Sequence, residues 1–70
     1  MTHNEISING VVKPYKSMPV SDMVSDLGYS AMQKGIAVAV NDEVVPRSVW
    51  SSHMLQPGDR IELVVAVQGG

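Results

Sequence analysis

Ile36-Ala37-Val38-Ala39-Val40-Asn41-Asp42-Glu43-Val44-Val45-Pro46 is the stretch whose reading decides the fold. Its first five residues are an apolar run of strand length. Asn41 and Asp42 follow as turn residues, because their short polar side chains tolerate left-handed backbone and bond locally. Val44-Val45 is then a short return strand. Pro46 ends it, since proline has no N–H to give a ladder. The stretch predicts a hairpin with one well-buried strand.

Upstream, Glu5-Ile6-Ser7-Ile8 alternates polar and apolar, the period of a half-buried strand. Asn9-Gly10 suits a type I′ turn, in which both central residues take positive φ. Val11-Val12-Lys13 returns as a second strand, and Pro14 limits it and assigns it to an edge. After the connection 15–19, Ser21 is expected to cap a short helix, with Asp22 in its first turn. Val20, Met23, Val24 and Leu27 form one apolar stripe at helical spacing. Gly28 is the natural stop. Residues 29–35 carry no legible pattern.

Downstream of the hairpin, residues 47–53 hold Trp50 and are expected to make a helical turn. Gln56-Pro57-Gly58-Asp59 has the composition of a type II turn. Residues 60–67 are the last strand, and Gln68-Gly69-Gly70 is a tail. Arg60 and Glu62 must face solvent, so Ile61, Leu63, Val65 and Val67 face the helix. The same parity puts Val64 and Ala66 on the outer face, joined there by Ala37 and Ala39 if Val38 and Val40 point inward. A flat patch of small apolar residues beside the tail suggests a docking surface. The order of elements predicts an α+β domain: a mixed sheet of four or five strands with one helix on one face. The first and last strands can pair in parallel at its centre, because the connection through the helix permits it.

Composition narrows the chemistry. The 70 residues are expected to form a single domain over 1–70 with a flexible tail at 68–70. With 44% hydrophobic residues and 17% charged ones a compact core is possible, built from Val, Ile, Leu and Met because there is no Phe and one Trp. The five methionines are expected to be mostly core fillers. There is no cysteine, so no thiol can carry sulfur and no disulfide can supply stability. His3 and His53 alone do not make a metal site. A net charge of −2 with dispersed Lys and Arg argues against nucleic acid as the main partner. No run of apolar residues has membrane-spanning length, and Met1–Glu5 leads straight into a strand pattern, so a soluble cytoplasmic protein is expected.

The C-terminal end holds the candidate chemistry. Glycines enter a narrow channel, because they lack Cβ. A terminal α-carboxylate is ionised at neutral pH. It can attack an activated phosphate and become an acyl-adenylate inside another protein's active site. No catalytic group is expected in this chain itself: Ser52 and His53 are adjacent, and adjacent residues do not assemble a nucleophile–base triad. Trp50 reads as packing volume in a domain poor in aromatics. Asp42 and Glu43 read as turn residues. Arg47 is a candidate contact for an acidic partner, although its simplest reading is a solvated side chain.

The segment from Ile36 to Gly70 carries Ala-Val-Ala-Val-Asn-Asp-Glu-Val-Val-Pro-Arg, then Trp50, Leu55, Pro57-Gly58-Asp59-Arg60-Ile61-Glu62-Leu63-Val64 and Gly69-Gly70. It resembles the sulfur carrier proteins of thiamine biosynthesis, the ThiS family, over half the chain. Residues 5–28 fit the family's opening in pattern only. The resemblance implies a ubiquitin-like β-grasp fold and a partner enzyme of the ubiquitin-activating type. That enzyme would use ATP and Mg²⁺ to adenylate Gly70, no cofactor being bound by this chain. Sulfur derived from a cysteine desulfurase persulfide would then give a thiocarboxylate, and thiazole synthase would receive the sulfur. Gln68 and Gly69 would thread into the partner, and Ala37, Ala39, Arg47, Val64 and Ala66 would line the interface. Neither nucleic acid nor membrane is expected as a partner. The competing readings are a molybdopterin-synthase-type carrier subunit, a ubiquitin-like protein modifier and an inert β-grasp module. The Val-Pro-Arg and Trp50 pattern favours the thiamine branch.

Overall fold

The computed structural model describes residues 4–30 and 32–66. Five strands and one helix follow one another as β1 Glu5–Ile8, β2 Val11–Pro14, α1 Val20–Asp26, β3 Ile36–Val40, β4 Glu43–Val45 and β5 Arg60–Val65, with a 3₁₀ turn at Arg47–Val49. The sheet order is β2-β1-β5-β3-β4. β5 therefore lies at the centre, parallel to β1 and antiparallel to β3. The expected α+β architecture is present, with five strands. Both hairpin turns fall where expected. Asn9 and Gly10 take φ of 52° and 83°, and Asn41 and Asp42 take 52° and 71°, so both tight turns use left-handed backbone at both central positions. Gly58, at φ 85°, and the Asp59 N–H on Gln56 O make the expected turn into β5.

Burial follows the strand parity. Ile6 and Ile8, Val38 and Val40, and Ile61 and Leu63 are buried and face α1, which contributes Val20, Met23 and Val24. Leu55, Trp50 and Val45 close the core from the other connection. Trp50 is packing, as expected: it is 2% exposed, and its indole N–H donates to Val45 O at 2.9 Å.

Several expectations need correction. Ser21 is not the helix cap; Pro19 holds that position, and no side chain caps the helix. The N–H groups that a cap would serve have other partners. Val20 donates to His53 O at 2.9 Å and Ser21 to Trp50 O at 3.1 Å, while Asp22 and Met23 share Pro19 O. Leu27 is half-buried rather than core, because the helix has already ended there. Gly28 is the stop expected of it, with φ 94°. Its N–H meets Ser25 O, and that of Tyr29 meets Val24 O, the pair of bonds that closes a helix with a left-handed residue. Pro14 belongs to β2 and pairs with Glu5; it sits on an edge strand, where a missing donor costs nothing. Glu43 opens β4 instead of lying in the turn. Among the described methionines, Met23 is buried and Met18 partly so, but Met32 and Met54 are exposed rather than core. β5 ends at Val65, and Val67, expected to face the helix, lies outside the described residues.

Two asparagines do work that sequence reading missed. The Asn9 side chain accepts from Leu63 N–H at 2.9 Å and donates to Leu63 O at 3.1 Å. Its own N–H reaches Ile61 O at 2.9 Å. A side-chain amide thus extends the β1–β5 ladder beyond Ile8. Asn41 does the same for the other neighbour: its N–H donates to Arg60 O, and its Oδ1 accepts from Arg60 N–H. Asn41 Nδ2 donates to Asp59 Oδ1 at 2.9 Å, and Gln56 N–H donates to Asp59 Oδ2 at 2.8 Å. Asp59 is the one buried charged residue among those described, and both its oxygens are satisfied. The central strand is therefore clamped along its length by turn residues from both neighbours.

Candidate functional site

The sequence-predicted site divides into a chemical end and a docking face. Gln68, Gly69 and Gly70 lie outside the described residues. The docking face is described, and its parity is as expected. Ala37 pairs with Val64, and Ala39 pairs with Glu62 on one side and Val44 on the other. Val64 is 61% exposed, Ala37 and Ala66 are exposed, and Ala39 is half-buried. β3, β4 and β5 thus present a row of small apolar side chains on the face away from α1. Val44, 74% exposed, belongs to this row and was missed. The signal was available: a two-residue turn at Asn41-Asp42 fixes the register and puts Val44 opposite Ala39.

Charge frames the row. Arg60 donates to the Asp42 carboxylate, and Glu62 stands between Val64 and the Arg60 end of β5. The Arg60–Asp42 pair is solvent-exposed, so it adds at most about 1 kcal/mol and serves mainly to mark the polar edge of the patch. Arg47 is not in the row. Its guanidinium lies over the Trp50 ring at 4.6 Å from the centroid and donates to Ile36 O at 3.3 Å. Arg47 is exposed, as the solvated reading has it, and it also ties Ile36, the first residue of β3, to the turn that follows β4.

The candidate site is a face and a strand end, not a cavity. A groove of about 270 Å³ opens between α1 and the β1–β2 hairpin, lined by Ile6, Ile8, Met23, Leu27 and Leu55 with Lys13 and Lys16 at its rim. It contains none of the predicted site residues. Among the described residues, no cluster of three or more His, Asp or Glu side chains converges as a metal site would require. His53 spends its carbonyl on Val20, and Ser52 Oγ donates to Val49 O. No described helix is long and apolar enough to cross a membrane.

A mixed five-stranded sheet with one helix on one face, and its first and last strands parallel at the centre, defines a β-grasp domain. Solved structures share this architecture. The crystal structure of the thiamine biosynthesis protein ThiS from Geobacter metallireducens superposes with a TM-score of 0.76 at 25% identity, covering 94% of this chain and 99% of that one. A solution structure of a thiamine biosynthesis protein from the same organism gives 0.74 at 25% identity, covering 94% and 87%. The sulfur carrier protein ThiS of Escherichia coli K12 is 45% identical over 38 residues, which span 54% of this chain and 58% of that relative's length. The ThiS family profile matches residues 6–70, and the chain belongs to the ThiS family.

Proposed function

We propose that the chain is a sulfur carrier, a substrate of enzymes rather than an enzyme, and that it serves thiazole formation in thiamine biosynthesis. The observation that carries this reading is where β5 ends. The central strand ends at Val65, beside the apolar outer face, and four residues follow Ala66, the last of them Gly70. Four extended residues reach roughly 13–14 Å at about 3.3–3.6 Å each. A partner that covers Ala37, Ala39, Val44, Val64 and Ala66 would then receive Gly70 in a pocket just beyond its docking surface.

The chemistry follows from what the chain lacks. The 70 residues contain no cysteine, which favours the Gly70 carboxylate over a thiol as the group that holds sulfur. An oxygen of the Gly70 carboxylate attacks the α-phosphorus of ATP held with Mg²⁺ by an activating enzyme of the ubiquitin-activating type, and pyrophosphate leaves. A sulfur nucleophile, from a persulfide supplied by a cysteine desulfurase, attacks the acyl carbon and AMP departs. The product is an acyl disulfide. A second thiol of the sulfur-delivering enzyme attacks the sulfur still bound to that enzyme, a disulfide forms there as the oxidised product, and the thiocarboxylate leaves to pass its sulfur to thiazole synthase. Gly69 would lie in the narrow part of the channel, where a glycine backbone fits and a side chain would not, with Gln68 entering behind it at the wider mouth. The ATP-dependent step suits a cytoplasmic location. The names of the E. coli and Geobacter relatives favour the thiamine branch over the molybdopterin-synthase type.

Intact mass of the protein purified from its host tests the reading. Replacement of one terminal oxygen by sulfur is expected, and a Gly70 deletion should show no such species. Larger conjugates through Gly70 would instead make the chain a protein modifier. An unmodified terminus under sulfur-replete growth would leave a β-grasp module with an inert tail.

A further inference from the structure

We propose that Gly35 is a positioning residue for the tail, acting through Ala66 to set where and in which direction Gln68–Gly70 departs; this rests on the carrier reading above. Ala66 N–H donates to Gly35 O at 2.7 Å, which carries the β3–β5 ladder one residue beyond the Ile36–Val65 pair. Gly35 has φ of 82°, a region that side chains disfavour. A Cβ at this position would stand 3.3 Å from Ala66 O and 3.4 Å from Ala66 Cβ. A side chain here would push Ala66 back by a few tenths of an ångström and would strain the backbone at φ 82°, so glycine gives the closest approach of the two backbones.

The bracket is anchored from behind. Ile36, next to Gly35, gives its carbonyl to Arg47, whose guanidinium lies over Trp50, and Trp50 is fixed in the core by its bond to Val45 O. Ala66 is thereby tied, through Gly35 and Ile36, to the part of the core that Trp50 closes. Such precision has a use in group transfer, because a misplacement of about 1 Å remote from the chemistry can lower a rate by about 10²-fold. A glycine needed only for its loop would affect stability and leave the rate at saturating carrier alone.

Gly35→Ala and Gly35→Asn separate the two roles; Asn tolerates positive φ, yet it still places Cβ against Ala66. The measurements are native-state amide exchange at Ala66, and ATP–pyrophosphate exchange with the cognate activating enzyme as a function of carrier concentration. Both variants are expected to stay folded, with Ala66 exchange at least tenfold faster. The expected kinetic change is a kcat at least tenfold lower, with KM for the carrier within about threefold, since Ala37, Ala39, Val44 and Val64 keep their places on the docking face and only its Ala66 end shifts. Unchanged protection of Ala66, a kcat within twofold of wild type, or unfolding of both variants would overturn the proposal. If the wild type itself supports no pyrophosphate exchange, it is the carrier reading that fails, and the protection of Ala66 in wild type and variants still decides the bracket.

Discussion

Asn9 offers the sharpest test of how the central strand is held. Its side chain makes two hydrogen bonds to the backbone of Leu63, a residue 54 positions away. Each such bond contributes about 0.5–1.5 kcal/mol net, so losing both costs about 1–3 kcal/mol. Asn9 also sits at φ 52°, which glycine adopts freely. An ordinary L-residue pays about 1–2 kcal/mol there. Asn9→Gly therefore isolates the clasp at about 1–3 kcal/mol, and Asn9→Ala adds the backbone term to reach roughly 2–5 kcal/mol. For a domain of this size about 1 kcal/mol moves Tm by about 4–8 °C, so Asn9→Gly should melt roughly 5–20 °C below wild type. Asn9→Asp keeps the acceptor for Leu63 N–H but turns an oxygen towards Leu63 O, and it should be at least as damaging as Asn9→Gly. Urea unfolding followed by circular dichroism gives the free energies. If Asn9→Gly falls within about 0.5 kcal/mol of wild type, the usual range of surface changes, the clasp does not stabilise β5.

Other substitutions probe the core and the outer face. Ile61, fully buried in the central strand, should lose about 2–5 kcal/mol on truncation to Ala, whereas half-buried Leu27→Ala should cost less than about 2 kcal/mol; equal losses in denaturant unfolding would show the helix end is misassigned. Trp50→Phe removes the donor to Val45 O and should destabilise by about 1–3 kcal/mol, read by thermal unfolding. Val64→Asp and Ala66→Asp should each leave the fold within about 1 kcal/mol of wild type, the span of strand preferences. Both should weaken binding to the activating enzyme in titration calorimetry, and normal binding by both would make the patch ordinary surface.

What was legible in the chain was local. Asn9-Gly10 and Asn41-Asp42 declare their turns because the residues that tolerate positive φ are few. The alternation of Ile36–Val40 and Arg60–Val65 declares which side chains are buried because the strand period is two. Ala37, Ala39, Val64 and Ala66 followed from that parity, and Val44 needed only one further step through the register. What was missed depends on distant partners. Ser21 looks like a cap, but the orphan N–H groups of α1 are met by carbonyls of Trp50 and His53, which nothing near the helix announces. The second role of Asn9 lies across the sheet on Leu63, and that of Asn41 on Arg60 and Asp59. Met32 and Met54 are exposed because they fall in connections, where side-chain hydrophobicity alone decides nothing. Gly35 sat in an unpatterned loop, and its closeness to Ala66 exists only once β3 and β5 are paired.

Gly70 is the proposed reacting group, and ATP–pyrophosphate exchange measures its activation directly. Wild-type protein, a Gly70 deletion and a Gly69→Trp variant would be compared with the cognate activating enzyme, each beside its own thermal unfolding curve. Exchange should be supported by the wild type and abolished in both variants, while all three are expected to unfold at the same temperature, since chain termini ordinarily contribute little to stability. Exchange at the wild-type rate by the folded Gly70 deletion would contradict the account.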